Sequence, residues 1–292
     1  LAIGYDALGG AIDGGEFNIA IGNYSLDALT TGDFNTAVGY DALTANTVGN
    51  KNTAIGYQAL LSNTTGITNT AIGYMSLKTN TTSRENTAIG YATLYSNTDG
   101  EYTTAVGNRA LLYNTTGDDN TGVGYKALTS NTTGSSNIAV GNSALGSNTT
   151  GYNNSAAGAY SLGANTTGVF NAAFGETSLH LNVTGDNNTA VGATALKNNT
   201  SGDKNTAVGH GALTSNTTAS YNVALGNEAM SANTTGESNL AIGFVALGSN
   251  TTGNYNVGVG QSTLNGNTTG LRNTALGYGA LDASDTENDN LA

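Results

Sequence analysis

The sequence contains no proline, no cysteine and no tryptophan, and only 10% of its 292 residues are charged. Absent cysteine excludes a disulfide scaffold. Absent proline agrees with a chain made of parallel strands, because each residue of such a ladder donates its backbone N–H. No basic region or long apolar run follows Leu1, so the sequence predicts neither a signal peptide nor a membrane span in this segment.

Positive charge is also scarce, with 8 Lys and Arg against 20 Asp and Glu, which gives a net charge of −12. Nucleic acids and anionic membranes both require basic surfaces. The sequence therefore predicts a protein that binds no nucleic acid and does not insert into a membrane.

Groups suited to catalysis are few. The two histidines, His180 and His210, occupy different places in the repeat described below and are predicted to be exposed substitutions. Asp118, Asp186 and Asp203 share one place, but apolar and basic residues interrupt that column, and a solvated acidic surface is the favoured interpretation. We predict a protein that is not an enzyme, with no catalytic, cofactor-binding or metal-binding residues and no cofactor.

What the chain does have is one 17-residue phrase repeated seventeen times, with a first unit one residue longer. We number the phrase from Thr36 (position 1) to Asn52 (position 17) and call each unit a rung. Position 4 is always Gly, position 8 is Leu except at Met230, position 3 is apolar, and position 6 takes almost any residue. This contrast separates buried from solvated positions within one sequence.

Low complexity and 42 Gly would also suit a disordered linker, but the periodic Leu and Ile or Val argue against it. Frequent Gly, Thr and Asn disfavour helices, and 17 residues are too few for a two-helix repeat. We predict an all-β parallel β-solenoid, or β-roll, of seventeen rungs forming a rod, as a single domain over 1–292 that is a fragment of a longer repeat protein. Positions 1–4 and 6–9 are predicted strands and positions 11–14 a wide turn.

Glycine and asparagine suggest how the turns are built. Gly at positions 4 and 14 is expected to provide positive φ or close approach between rungs. Asn at positions 11 and 17 is expected to form hydrogen-bonded stacks along the ladder. Twelve of the position-11 residues, including Asn63, Asn80 and Asn114, also lie in Asn-x-Ser/Thr triplets, which are either turns or a column of glycan acceptors.

The oligomeric state follows from pairs of adjacent fixed residues, such as Ala2 beside Ile3 and Ala7 beside Leu8. Neighbouring side chains of a strand face opposite sides, so one of each pair would be left outside the interior of the chain. An apolar row of that length exceeds what a soluble monomer normally exposes. We predict a parallel homotrimer, the alternative being a tightly filled monomeric roll.

Tyrosine recurs at position 5 in the N-terminal half of the chain. The candidate surface-contact ladder consists of Tyr40, Tyr57, Tyr74, Tyr91 and Tyr125. Such rings can contact a sugar or a protein partner, or they can simply pack between neighbouring strands, which is the favoured interpretation.

The phrase Asn-Thr-Ala-Ile-Gly-Tyr, as at residues 52–57, resembles the head repeats of trimeric autotransporter adhesins and tandem repeats of bacterial and phage fibre proteins. The resemblance covers all 292 residues, although the adhesin repeat is usually shorter. It implies a left-handed β-roll assembled as a homotrimer, located outside the cell, on the cell surface or on a virion fibre. The expected partner is a host-surface, glycan or matrix receptor.

The sequence thus favours a structural and adhesive rod that projects and presents a binding surface. A scaffolding subunit of an extracellular filament is the first alternative. An ice-binding β-solenoid is the second, because Thr recurs at positions 1, 12 and 13, but such a surface requires outward Thr in alternating places along a strand.

Overall fold

The computed structural model describes residues 1–283 and 286–292, and these residues contain one short strand in each rung and no helix. They form two compact units, Leu1–Thr150 with β1 to β9 and Gly151–Ala292 with β10 to β17. The strands are β1 (Ala2–Ile3), β2 (Ile19–Ile21), β3 (Thr36–Val38), β4 (Thr53–Ile55), β5 (Thr70–Ile72), β6 (Thr87–Ile89), β7 (Thr104–Val106), β8 (Thr121–Val123), β9 (Ile138–Val140), β10 (Ser155–Ala157), β11 (Ala172–Phe174), β12 (Thr189–Val191), β13 (Thr206–Val208), β14 (Val223–Leu225), β15 (Leu240–Ile242), β16 (Val257–Val259) and β17 (Thr274–Leu276).

Within each unit, every strand pairs in parallel with the next strand along the chain. In the first unit Ala37 lies opposite Ala54, and in the second Ala190 lies opposite Ala207, so equivalent positions of the phrase are aligned. The 18-residue first rung keeps this alignment, since Ala2 pairs with Ala20. The chain is therefore the predicted parallel β-solenoid. The prediction of a single domain stays a prediction.

The predicted second strand, at positions 6–9, is wrong, because those residues form a turn in each rung. In the third rung Asp41 has φ 55° and Leu43 has φ 53°, in the left-handed region that extended strands do not use. Left-handed residues cost about 1–2 kcal/mol each. Their reoriented N–H groups bond to both neighbouring rungs, with Asp41 N donating to Asn23 O at 3.1 Å and Leu43 N donating to Ala59 O at 3.0 Å.

This turn also changes what becomes of the fixed residues at positions 7 and 8. Ala42 and Leu43 are both fully buried inside the chain, whereas an extended strand would have turned one of them outward. Where position 7 carries a hydroxyl, as in Ser25, its Oγ donates to the position-4 carbonyl oxygen of its own rung, Gly22 O, at 2.8 Å. The expectation that one residue of this pair needs burial against another chain is therefore wrong.

At the corner after each strand, glycine is required on two grounds. Gly90 has φ 137°, and a Cβ there would lie 2.6 Å from the carbonyl oxygen of Gly107 in the next rung. At position 14, Gly100 has no positive φ, but its Cβ would lie 2.7 Å from Gly117 O. The sequence left open whether glycine provides positive φ or close approach between rungs. Both apply at position 4, whereas only close approach applies at position 14.

The interior has an apolar side, formed by positions 2, 7 and 8, and an amide side formed by asparagine. At position 11, Asn199 Nδ2 donates to Asn182 Oδ1 at 2.9 Å and to Gly202 O at 2.9 Å, and its own Oδ1 accepts from Asn216 Nδ2 at 2.8 Å. At position 17, Asn205 N donates to Asn188 Oδ1 at 2.9 Å. The predicted asparagine stacks are confirmed.

This arrangement also decides between the two interpretations of the Asn-x-Ser/Thr triplets. Asn63, Asn80 and Asn114 are fully buried, and each amide nitrogen donates to the preceding Asn and to a carbonyl of its own rung. A glycan on these nitrogens is incompatible with the fold, so the triplets are structural turns.

The apolar side of the interior gives a first stability prediction. Leu179 is fully buried, whereas Leu181 in the same rung is 40% exposed. We expect Leu179→Ala to lower the free energy of unfolding by about 2–5 kcal/mol through lost burial and a residual cavity, and Leu181→Ala to change it by less than about 1 kcal/mol. Urea denaturation followed by circular dichroism measures both, and equal losses would contradict the assigned interior.

The amide side gives a second. Asn199→Asp would replace the amide nitrogen that donates to two carbonyl oxygens by a carboxylate oxygen, which cannot donate. We expect the free energy of unfolding to fall by roughly 3 kcal/mol at neutral pH. Burial raises the pKa of that Asp above its ordinary value of about 3.9, so the folded state holds the proton longer than the unfolded state. The loss should be small in acid and should grow as pH rises through about 4.

The preceding residue provides the matched control, because Asn198 is only half-buried. Asn198→Asp should show neither the large loss nor the same dependence on pH. Denaturation of both variants and the parent chain at several pH values checks this, and a stable Asn199→Asp variant at neutral pH would refute the role given to the stack.

Candidate functional site

The residues at positions 1 and 3 of the strands point away from the interior, and together they form a surface that we call the outward strand face. Position 2 is buried between them, as Ala54 and Ala88 show. Ile55 is 38% exposed and Ile89 is 37% exposed, although position 3 is apolar in each rung. At positions 2 and 3, as predicted, Ala fills the interior and Ile or Val lies outside the chain.

Threonine occupies position 1 of six consecutive rungs in the first unit. These residues are half-buried on the outward strand face, and their neighbours on that face are apolar: Thr36, Thr53, Thr70, Thr87, Thr104 and Thr121. The hydroxyl array is one residue wide and lies beside Ile and Val. At position 12, Thr47 Oγ1 donates to Thr64 O at 3.2 Å and is thus used within the solenoid. The alternating outward Thr expected of an ice-binding surface are not found in the described strands.

The tyrosines of the candidate ladder lie beside the outward strand face, just after the glycine corner. Tyr40, Tyr57, Tyr74 and Tyr91 stack, with ring centroids 5.1 to 5.7 Å apart and interplanar angles of 4° to 11°. Inside such a stack each ring covers the faces of its neighbours. Packing between rungs is therefore a structural role of these rings, and sugar faces cannot stack on the middle ones.

The stack ends at both sides for different reasons. At its N-terminal end Tyr24 contacts Tyr40 edge to face, with ring centroids 5.8 Å apart. The pKa of Tyr24 is raised above its ordinary value, mainly by desolvation and then by the neighbouring phenols of Tyr5 and Tyr40. At its other end Asn108 occupies position 5, so Tyr91 stacks on Tyr74 alone among the residues that the structure describes. Tyr125, one rung further, does not join the stack, and Lys126 Nζ lies 5.1 Å from its ring centroid.

A hollow of about 330 Å³ opens next to this end of the stack. It forms because Ala92, at position 6, has a small side chain between the longer Met75 and Arg109 of the adjacent rungs. Its walls come from positions 5, 9 and 10, and the lining residues are Met75, Tyr91, Ala92, Tyr95, Ser96, Arg109, Leu112 and Tyr113. The sequence reasoning missed this site, because it treated position 6 as freely variable and did not compare the sizes of its consecutive residues.

The aspartates of position 15 have a structural use that the sequence reasoning also missed. Asp118 Oδ1 accepts from Glu101 N at 2.8 Å, and Asp203 Oδ1 accepts from Asp186 N at 2.8 Å. Each such carboxylate satisfies the backbone of the preceding rung. Asn and Ser do the same elsewhere in the column, as Ser135 Oγ does for Asp118 N at 3.0 Å.

The two histidines lie apart in the second unit. His180 is beside Tyr160, with Nδ1 2.9 Å from Tyr160 O, and His210 is exposed at position 5. Within residues 1–283 and 286–292 no three His, Cys, Asp or Glu side chains are grouped so that they could hold a metal ion. No helix in the same residues is long and apolar enough to cross a membrane.

Neither a protein-family model nor a curated protein matches this chain.

The stacked tyrosines generate a stability prediction. Tyr74 contacts ring neighbours on both faces, so we expect Tyr74→Ala to cost about 1 kcal/mol. Tyr255 is exposed in the second unit and has no stacked neighbour in the described structure. Tyr255→Ala is therefore the control and should lower the free energy of unfolding by less. Thermal denaturation compares the two variants, and an equal or smaller effect at Tyr74 would show that stacking contributes nothing measurable.

Proposed function

We propose that this chain is the repeat segment of an extracellular fibre or surface adhesin, non-enzymatic, and assembled as a parallel, left-handed homotrimer that presents a binding surface. The observation that carries the proposal is the apolar column at position 3 of the outward strand face. In the first unit it consists of Ile3, Ile21, Val38, Ile55, Ile72, Ile89, Val106, Val123 and Val140.

This column cannot be explained by the interior of the chain, because the interior is filled by Ala, Leu and Asn. A continuous apolar surface of that length is typical of an interface. The column runs unbroken at one position of the phrase, and cyclic assembly of identical parallel chains would bring equivalent columns together in register. Three chains, and the left-handed sense of the roll, are what the resemblance to adhesin head repeats implies.

The binding role has separate support. A segment that contacts its own copies through positions 1 and 3 leaves the solvent-accessible side chains of positions 5, 6, 9 and 10 available to a partner. In the first unit that stretch carries the stacked tyrosines and the hollow at Ala92. The glycan or matrix receptor implied by the resemblance would bind there.

Multi-angle light scattering tests the assembly. We expect a mass near three times 29.2 kDa for the chain as it stands. Replacing Ile55 and Ile89 by Lys should shift the mass toward 29.2 kDa, because two charges per chain would have to be buried in the interface.

The control replaces two exposed residues of the turn, Thr65→Lys and Thr82→Lys, in the fourth and fifth rungs. It adds the same charge away from the outward strand face and should leave the mass unchanged. Circular dichroism must show that both double variants keep the fold. A monodisperse monomer for the unaltered chain would refute the proposed assembly and favour the monomeric roll.

A further inference from the structure

We propose that the hollow at Ala92 binds a pyranose ring that carries a carboxylate, as in a uronic or sialic acid residue of a glycan. The inference rests on the proposed binding role of the chain and specifies its ligand. Three independent features of the hollow point to this class, namely its size, its aromatic walls and its local charge.

Size limits the ligand to about one ring. Small-molecule sites in proteins usually measure roughly 300–1,000 Å³, so a hollow of about 330 Å³ is at the lower end of that range. Ala92 lines the hollow together with the longer Met75 and Arg109, which occupy the same position in the rungs before and after it. The hollow is lined by residues of positions 5, 6, 9 and 10, outside the outward strand face, and so the proposed assembly would leave it accessible.

Aromatic rings supply apolar surface for the C–H groups of a sugar. Tyr91 is the last ring of the stack. Because Asn108 follows it in the next rung, one face of Tyr91 has no stacked aromatic neighbour within the described part of the chain. Tyr95 and Tyr113 form further walls, and Tyr113 is 55% exposed. Such rings present an apolar body together with a hydroxyl that can hydrogen-bond a ligand.

The charge around the hollow is positive and therefore favours an anionic ligand, although the whole chain carries a net negative charge. The corresponding stretches of four consecutive rungs, 73–79, 90–96, 107–113 and 124–130, contain no Asp or Glu. Three of the eight basic residues of the protein lie in them: Lys78, Arg109 and Lys126. Because salt screens charges beyond about 8 Å at physiological ionic strength, the basic residues nearest the hollow act on a bound ligand more strongly than acidic residues farther along the rungs.

Arg109 is the group placed to bind the carboxylate. Among the described residues it makes no ion pair, whereas Arg84 and Arg272 are paired with Glu101 and Asp289. A guanidinium can hold a carboxylate through two parallel hydrogen bonds, which a lysine cannot reproduce. Lys78, with Nζ 5.6 Å from the Tyr95 ring centroid, adds positive charge on the other side of the hollow.

Saturation-transfer and titration NMR with methyl β-D-glucuronide tests the inference, and methyl β-D-glucoside and benzoate serve as comparison ligands. We expect a dissociation constant of roughly 1 mM for the glucuronide, since one sugar ring makes few contacts. The glucoside lacks the carboxylate and benzoate lacks the sugar ring. Both should bind at least about tenfold more weakly.

Two variants locate the site. Arg109→Gln removes the charge, and Ala92→Gln fills the hollow with a residue that this chain already accommodates at the same backbone conformation in Gln58. Each should weaken glucuronide binding by about tenfold or more. Two variants in the second unit are the controls. Lys204→Gln removes a basic charge and Thr194→Gln introduces glutamine at position 6, and both should leave glucuronide binding unchanged. Circular dichroism verifies folding of all four.

Absence of glucuronide binding, equal binding of the glucoside or of benzoate, or full binding by either Arg109→Gln or Ala92→Gln would each overturn the inference. The mass of each sample by light scattering keeps this result separate from the proposed function. A trimer that fails to bind glucuronide would refute only the ligand, whereas a monomer that binds it would refute only the assembly.

Discussion

The fold depends on how closely successive rungs approach at the glycine that follows each strand. At that corner a side chain would collide with the carbonyl group of the next rung, since a Cβ on Gly90 would lie 2.6 Å from the carbonyl oxygen of Gly107. Gly90 also has a φ of 137°, which side-chain-bearing residues rarely adopt. Because this corner turns the chain sharply after three residues, the next fixed residues are directed into the interior.

Two kinds of interaction then fill that interior, and they place different demands on the sequence. The apolar side accepts Ala and Leu and needs only the right volume. The amide side needs asparagine, because each buried carboxamide has to donate and accept along the stack, and no buried side-chain nitrogen or oxygen in the described residues lacks a partner. The surface is correspondingly free to vary at position 6, where Met75, Ala92 and Arg109 produce a hollow without altering the backbone.

Much of this architecture could be predicted from the repeat alone. The invariant Gly, the inward Ala and Leu and the asparagine stacks all follow from comparing rungs within one sequence. The second strand was wrong because adjacent Ala42 and Leu43 were taken for opposite faces of a strand, whereas left-handed residues at Asp41 and Leu43 direct both inward. Left-handed conformations in ordinary residues leave no compositional signal, since Gln, Lys and Val all occupy position 6.

The asparagine stacks have a direction. Inside the stack a position-11 amide donates toward the preceding rung and accepts from the following one, as in the series Asn182, Asn199 and Asn216. Their dipoles therefore add along each unit instead of cancelling, and chains of such bonds polarise one another. A new rung would meet acceptors at one end of the stack and donors at the other. Two such arrays can therefore be joined only head to tail, so that donors meet acceptors. Joining them in opposite orientations would place donors against donors or acceptors against acceptors.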